Sequence, residues 1–125
     1  VSRAGEIIPS REFYDYEDKY ALGQAETVAP TDLDDAQLAH AQRVAVAAYR
    51  ALRVEGLARV DLFLQDDDEI VVNEVNTMPG FTPISMFPML WEAEGLPFGE
   101  VIEQLTMLAR SRHARRRSLR TYRLT

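Results

Sequence analysis

The chain has 125 residues, room for one hydrophobic core, and its 46% hydrophobic and 27% charged content is that of an ordinary soluble globular domain. No apolar run approaches the ~18 residues of a membrane span, and the opening VSRAGEIIPS lacks the charged start and apolar centre of a secretory signal, so a cytoplasmic location and no membrane partner are expected. The net charge of -6 is uneven: residues 1–109 hold all 20 acids, and residues 110–125 hold seven arginines and no acid. An acidic body excludes specific nucleic-acid binding through the fold itself, and the absence of cysteine excludes disulfides and thiolate chemistry.

Residues 4 to 8 read as a short strand closed by Pro9, with no preceding element to pair it. From Ser10 to Ala29, aromatic and charged residues mix without a sustained period, which predicts a long ordered loop and then a short strand near Ala25 to Val28. A helix is expected after Pro30, with Thr31 as N-cap and Asp34 three residues on. Leu38, Ala41, Ala45, Ala48 and Leu52 make its apolar stripe, which closes near Gly56.

ARVDLFL (58 to 64) and IVVNEVN (70 to 76) then alternate as two strands. Arg59, Asp61 and Phe63 share one face of the first; Glu74 and Asn76 share one face of the second, opposite Val71, Asn73 and Val75. A hairpin with a four-residue loop, Asp66 to Glu69, sets Gln65 against Ile70, Asp61 against Glu74 and Arg59 against Asn76, all on one face, whereas a three- or five-residue loop breaks this alignment.

Opposed residues have Cβ atoms about 5 Å apart, where two unit charges at an effective dielectric near 20 repel by roughly 3 kcal/mol. Arg59 can offset that repulsion as a structural ion pair. The sharper alternative is a hard divalent cation, because Asp, Glu and Asn offer only oxygen ligands and Mg²⁺ commonly combines one or two carboxylates with substrate phosphates. Neither His40 nor His113 has ligand-like spacing, which argues against zinc.

Beyond Pro79-Gly80, Ser85 is placed to cap a short helix through Leu90 to Glu94, with Pro88 in its first turn and Gly95 at its end. Phe98, Val101, Ile102, Leu105, Leu108 and Ala109 mark a last helix packed on the core. The Arg-rich end, 111–125, reads as a disordered basic tail.

FYDYEDKY (13 to 20), ARVDLFL, NEVNTMPGFTPISMFP (73 to 88) and LWEAEG (90 to 95) resemble, in order and spacing, the C-terminal part of the D-alanine:D-alanine ligase family within the ATP-grasp superfamily. The resemblance covers about residues 5 to 110, and the chain is read as residues 1–110 from the ligase domain followed by the tail. It implies an α+β fold, the ATP-grasp C-terminal subdomain, with a mainly antiparallel sheet packed against helices.

It also implies ATP-dependent joining of two D-alanines through an acylphosphate for peptidoglycan precursor synthesis. By this resemblance Asp61, Glu74 and Asn76 hold two Mg²⁺ ions, with Mn²⁺ able to substitute, on the phosphates of ATP, and Glu74 bridges. Arg59 and the backbone N–H of Gly80 face the acylphosphate and oxyanion, and Ser85 with the N–H of Met86 takes the carboxylate of the second D-alanine. Lys19 reaches the ATP phosphates from a mobile loop, and Tyr20 favours an amine over a hydroxyl as second nucleophile. The N-terminal and central domains of such an enzyme are missing, which implies a fragment inactive by itself, from a parent that is homodimeric. Two other readings stay open: a non-catalytic module in which the same acids chelate a cation, with Asp66, Asp67 and Asp68 available to join them, and an ATP-grasp carboxylate-amine ligase with a different acceptor.

Overall fold

The computed structural model describes residues 1–8, 26–82 and 84–119. Its strands are β1 (Glu6–Ile8), β2 (Glu26–Val28), β3 (Arg59–Leu64) and β4 (Ile70–Asn76); its helices are α1 (Asp35–Ala51), α2 (Met86–Ala93) and α3 (Phe98–Ser118). β1 finds its partner later in the chain: it forms an antiparallel ribbon with β2, the short strand expected near Ala25 to Val28, with Glu6 facing Val28. β3 and β4 form a second antiparallel pair, and α1 packs against both of its strands.

Asp34, not Thr31, caps α1. One Asp34 carboxylate oxygen accepts from the N–H groups of Ala36 and Gln37, both at 2.8 Å, and Gln37 Oε1 accepts the Asp34 N–H at 3.3 Å. This closes a capping box one turn later than expected, with an anion at the helix's positive end. Thr31 is buried outside the helix; its hydroxyl donates to Glu6 Oε2 at 2.9 Å and its N–H to Ala4 O at 2.9 Å. The helix stops earlier than the apolar stripe, since Leu52 is the C-cap and is exposed, and Arg53 takes a left-handed φ of 52° just beyond.

Residues 2–5 run between the two halves of the fold. Ser2 O accepts from Gln42 of α1 at 3.0 Å, and the Arg3 N–H donates to Glu94, the C-cap of α2, at 2.7 Å. Gly5 allows this approach: a Cβ there would come within 3.1 Å of Met86 Sδ and 3.3 Å of Leu90 Cδ2. The β1–β2 ribbon is thereby seated beside the first turn of α2.

The hairpin differs from expectation at its tip. Gln65 donates its N–H to Glu69 O at 2.9 Å and accepts that of Asp68 at 3.0 Å, so the loop is three residues, Asp66 to Asp68, with Asp68 at φ 61°. Leu64, not Gln65, therefore faces Ile70, and Val71 faces Phe63. The register shifts by one between Asp61 and Leu62, leaving Asn73 as an extra residue on β4. The bulge puts Ile70, Val72 and Val75 opposite Leu64, Leu62 and Val60 on one wholly apolar face. Val71 moves to the other face, which is a correction to the strict alternation of 71, 73 and 75.

Buried hydrophobic side chains are few among the described residues: Ala41, Leu90 and Val101. On α3 Val101 is buried and Leu105 half-buried, but Ile102 and Leu108 are exposed, which corrects their expected place in the core. The basic segment is not disordered from residue 111, because α3 runs on to Ser118. Glu55 explains this: its two oxygens lie 2.5 Å from Arg112 Nε and 2.6 Å from Arg115 Nη2, binding the helix to the turn before β3.

Candidate active site

The register of the hairpin decides what the site can be. Asp61 faces Glu74 and Arg59 faces Asn76, so all four polar side chains lie on the face away from the apolar one. The sequence alignment of these four survives although its premise, a four-residue loop, does not. The shorter loop and the Asn73 bulge compensate.

Arg59 joins the carboxylates. Its Nε donates to Asp61 Oδ1 at 2.7 Å, its Nη2 to Asp61 Oδ2 at 2.8 Å and also to Glu74 Oε1 at 3.2 Å. The main ion pair is thus with Asp61, along the same strand, and not with Glu74. A planar donor fork meeting both oxygens of one carboxylate is the strong form of this contact. The hydrogen bond to Asp61 raises the guanidinium pKa further; partial burial opposes this, and the nearby charges of Asp61 and Glu74 add to the rise. Arg59 is therefore a permanent cation, about a third exposed, between two acids of which Glu74 is half exposed.

Asn76 Oδ1 accepts the Met78 N–H at 2.9 Å and so starts the turn into Pro79-Gly80. Pro79 is buried, and Phe81 stacks near Phe87 of α2 and Phe98 of α3 with ring centroids 5.9 and 5.1 Å away. These contacts fix the loop between β4 and α2. Gly80 is required there by space: a Cβ would sit 2.9 Å from Ser85 Oγ. Ser85 is the N-cap of α2 in position but makes no side-chain cap bond. Its hydroxyl instead accepts the Thr82 N–H at 3.1 Å and bonds the Thr82 hydroxyl at 2.9 Å. Thr82 is the residue that sequence reasoning missed, although its T-x-x-S spacing to Ser85 marks a side-chain-closed turn. The first N–H groups of α2, Met86 included, form a helix N-terminus of the kind that suits an anion.

Lys19 and Tyr20 lie outside the described residues. Two aspartates of the hairpin tip have structural partners: Asp68 Oδ1 accepts from Gln37 Nε2 of α1 at 2.8 Å, and Asp67 Oδ1 from the Glu69 N–H within the turn at 3.3 Å. Asp61, Glu74 and Asn76 offer oxygen donors alone on an accessible face, a donor set that fits Mg²⁺ or Mn²⁺ and suits neither zinc nor copper.

Comparison with known proteins decides the family. A family model described as D-ala D-ala ligase C-terminus matches residues 1–107. The chain belongs to that family. It is 54% identical over 112 residues to the D-alanine--D-alanine ligase of Geobacillus thermodenitrificans, covering 90% of this chain and 31% of the relative. Among solved structures it is similar to the VanG D-Ala:D-Ser ligase of Enterococcus faecalis, with a TM-score of 0.76, 39% identity and coverage of 86% of this chain and 31% of that one. It is also similar to the Bacillus anthracis D-alanine--D-alanine ligase complexed with ATP, with a TM-score of 0.73, 27% identity and coverage of 91% and 37%. The α+β arrangement is accordingly that of the C-terminal subdomain in the ATP-grasp ligase fold. The ligase C-terminal family member described here spans about a third of the length of the curated relatives that it matches.

Proposed function

We propose that this chain is the catalytic C-terminal part of an ATP-dependent D-alanine:D-alanine ligase. The observation that carries the reading is the opposed pair Asp61 and Glu74 with Arg59 between them, Glu74 lying on the strand that leads directly into the Asn76–Gly80 turn. In the proposed reaction the carboxylate of one D-alanine attacks the terminal phosphorus of ATP and ADP leaves. The amine of the second D-alanine then attacks the acyl carbon, the C–O bond to phosphate breaks, the amine nitrogen loses a proton, and inorganic phosphate departs.

Asp61, Glu74 and Asn76 would hold two Mg²⁺ ions, which supply charge neutralisation of the transferring phosphoryl group. Arg59 stabilises the acylphosphate and the oxyanion with a charged fork whose donors keep their protons at any working pH. The Gly80 backbone adds an N–H to the oxyanion, and the Ser85–Met86 start of α2 receives the carboxylate of the second D-alanine. Lys19 and Tyr20 keep the roles that the family resemblance gives them, at the ATP phosphates and in selecting an amine. Supporting the reading, the relatives carry this activity in their names across the matched region. A cytoplasmic, dimeric parent fits it; among the described residues no helix is long and apolar enough to cross a membrane.

The test is ADP release. A protein carrying this chain with the remaining two-thirds of the ligase should release ADP on addition of D-alanine and form D-alanyl-D-alanine, and should respond poorly when D-lactate is the second acceptor. The 125-residue chain alone should be silent, having one wall of a nucleotide site. An absence of D-alanine-dependent ADP release from the longer protein overturns the ligase reading; robust release from the short chain overturns the division of labour. Preference for another acceptor in the same assay would select a different carboxylate-amine ligase instead.

A further inference from the structure

We infer that Arg59 is a built-in counter-ion, which holds Asp61 and Glu74 together when no divalent cation is present and is driven off Asp61 when one enters. The inference rests on the metal reading proposed above. Three observations lead to it. Both Asp61 oxygens are engaged by one guanidinium, at 2.7 and 2.8 Å, and the same Nη2 reaches Glu74 Oε1 at 3.2 Å. Arg59 thus stands between the two carboxylates that a cation would have to share. Asp61 and Glu74 are opposed residues in the ladder, so neither strand can draw apart to admit a second positive charge without breaking the pairing. Arg59 is the first residue of β3, and its side chain is about a third exposed, so it has solvent to move into.

A divalent ion and a guanidinium brought to contact distance of one carboxylate repel, and the ion carries twice the charge. The entering cation therefore takes Asp61. Arg59, released but still tethered on the same face, has its donor fork free for an anion. Cation and anion binding become coupled, since each frees or satisfies what the other needs. The carboxylate pair is kept from repelling itself while empty, and the cation-loaded site gains an unpaired arginine at the moment a phosphoryl group has to be held.

The experiment is a titration of the 125-residue chain with Mg²⁺ alone, without nucleotide, followed by NMR at the side-chain carboxyl carbons of Asp61 and Glu74 and at the Arg59 Nε–H. The expected result is that carboxyl carbons and Nε–H shift along one Mg²⁺ isotherm, with the Nε–H exchanging faster with water as Mg²⁺ is added. Arg59→Met should bind Mg²⁺ about fivefold more tightly, the upper end for release of an ion pair that solvent still reaches. If that variant does not fold, the wild-type titration decides alone. Carboxyl shifts without any Nε–H response, or equal or weaker Mg²⁺ binding by a folded Arg59→Met, overturn this inference and leave the metal reading standing. No carboxyl response to Mg²⁺ alone overturns this inference, and the metal reading falls with it if Mg²⁺ together with ATP also leaves both carboxyl carbons unshifted in the longer protein.

Discussion

Asp61 faces Glu74 across the hairpin because Asn73, one residue more than the ladder needs, bulges out of it. The three-residue loop sets Leu64 against Ile70, a register which, continued, would oppose Asp61 to Asn73. The bulge absorbs the difference just before the site.

Deleting Asn73 should therefore keep both the hairpin and the site. Val72 would join Glu74 directly, and the register set by the three-residue loop would then oppose Asp61 to Glu74 and Arg59 to Asn76 in a regular ladder, with no exchange of faces. Far-UV circular dichroism should retain strand and helix signals, and the Mg²⁺ response of the Asp61 carboxyl carbon should persist. Loss of that response in a folded deletion variant would show that the bulge itself shapes the site.

Gly80→Ala tests the other wall of the site. The added methyl would meet Ser85 Oγ at 2.9 Å, and that hydroxyl is held by two contacts to Thr82. Overpacking of this kind costs about 1–3 kcal/mol. Removing the hydroxyl in Gly80→Ala/Ser85→Ala should recover part of the loss, because Ser85 Cβ lies at an ordinary 3.4 Å from the new methyl. Urea unfolding of the two single variants and the double variant measures the coupling. Strict additivity would mean that the clash is not the cause.

What the sequence made legible follows from which forces are local. The alternation in ARVDLFL and the Pro-Gly stop exposed the hairpin and its polar face, and the spacing of Ser85, Pro88 and Gly95 located α2, since strand period and turn chemistry are properties of a few neighbouring residues. The cap of α1 was misplaced because Thr31 and Asp34 are both good caps in isolation; a tertiary bond to Glu6, 25 residues away in sequence, takes Thr31 out of competition. The Asn73 bulge was hidden for a similar reason. Nothing in VVN marks the extra residue, and only the αL conformation of Asp68 at the tip fixes the register that makes it necessary. The length of α3 was missed because an arginine run reads as solvated tail until Glu55 is brought against it by the α1–β3 turn.

The cap assignment is itself testable. Asp34→Ala should cost about 1 kcal/mol, the usual value of a capping side chain, and should speed amide exchange at Ala36 and Gln37, whose N–H groups lose their acceptor. Thr31→Ala should leave those two amides protected and act instead on Glu6 and β1, through loss of the 2.9 Å hydroxyl bond. Exposure of residues 36 and 37 in the threonine variant would return the cap to Thr31.

The link between Glu55 and α3 carries the last prediction. Arg112 Nε is shielded from water and lies 2.5 Å from Glu55 Oε2 without the alignment of a good hydrogen bond, while Arg115 donates to the other oxygen at 2.6 Å. Glu55→Ala removes the carboxylate from both guanidinium groups, at a cost of about 1 kcal/mol, the upper end for ion pairs whose arginine side chains are partly in solvent. The damage should be local: amides of residues 111–118 should exchange faster in Glu55→Ala, while the α1 amides and the Asp61–Glu74 pairing stay as they were. Glu55→Gln, which keeps an acceptor and loses the charge, should fall between. If α3 keeps its protection to Ser118 in Glu55→Ala, the helix is held by its own propensity and the ion pairs are incidental.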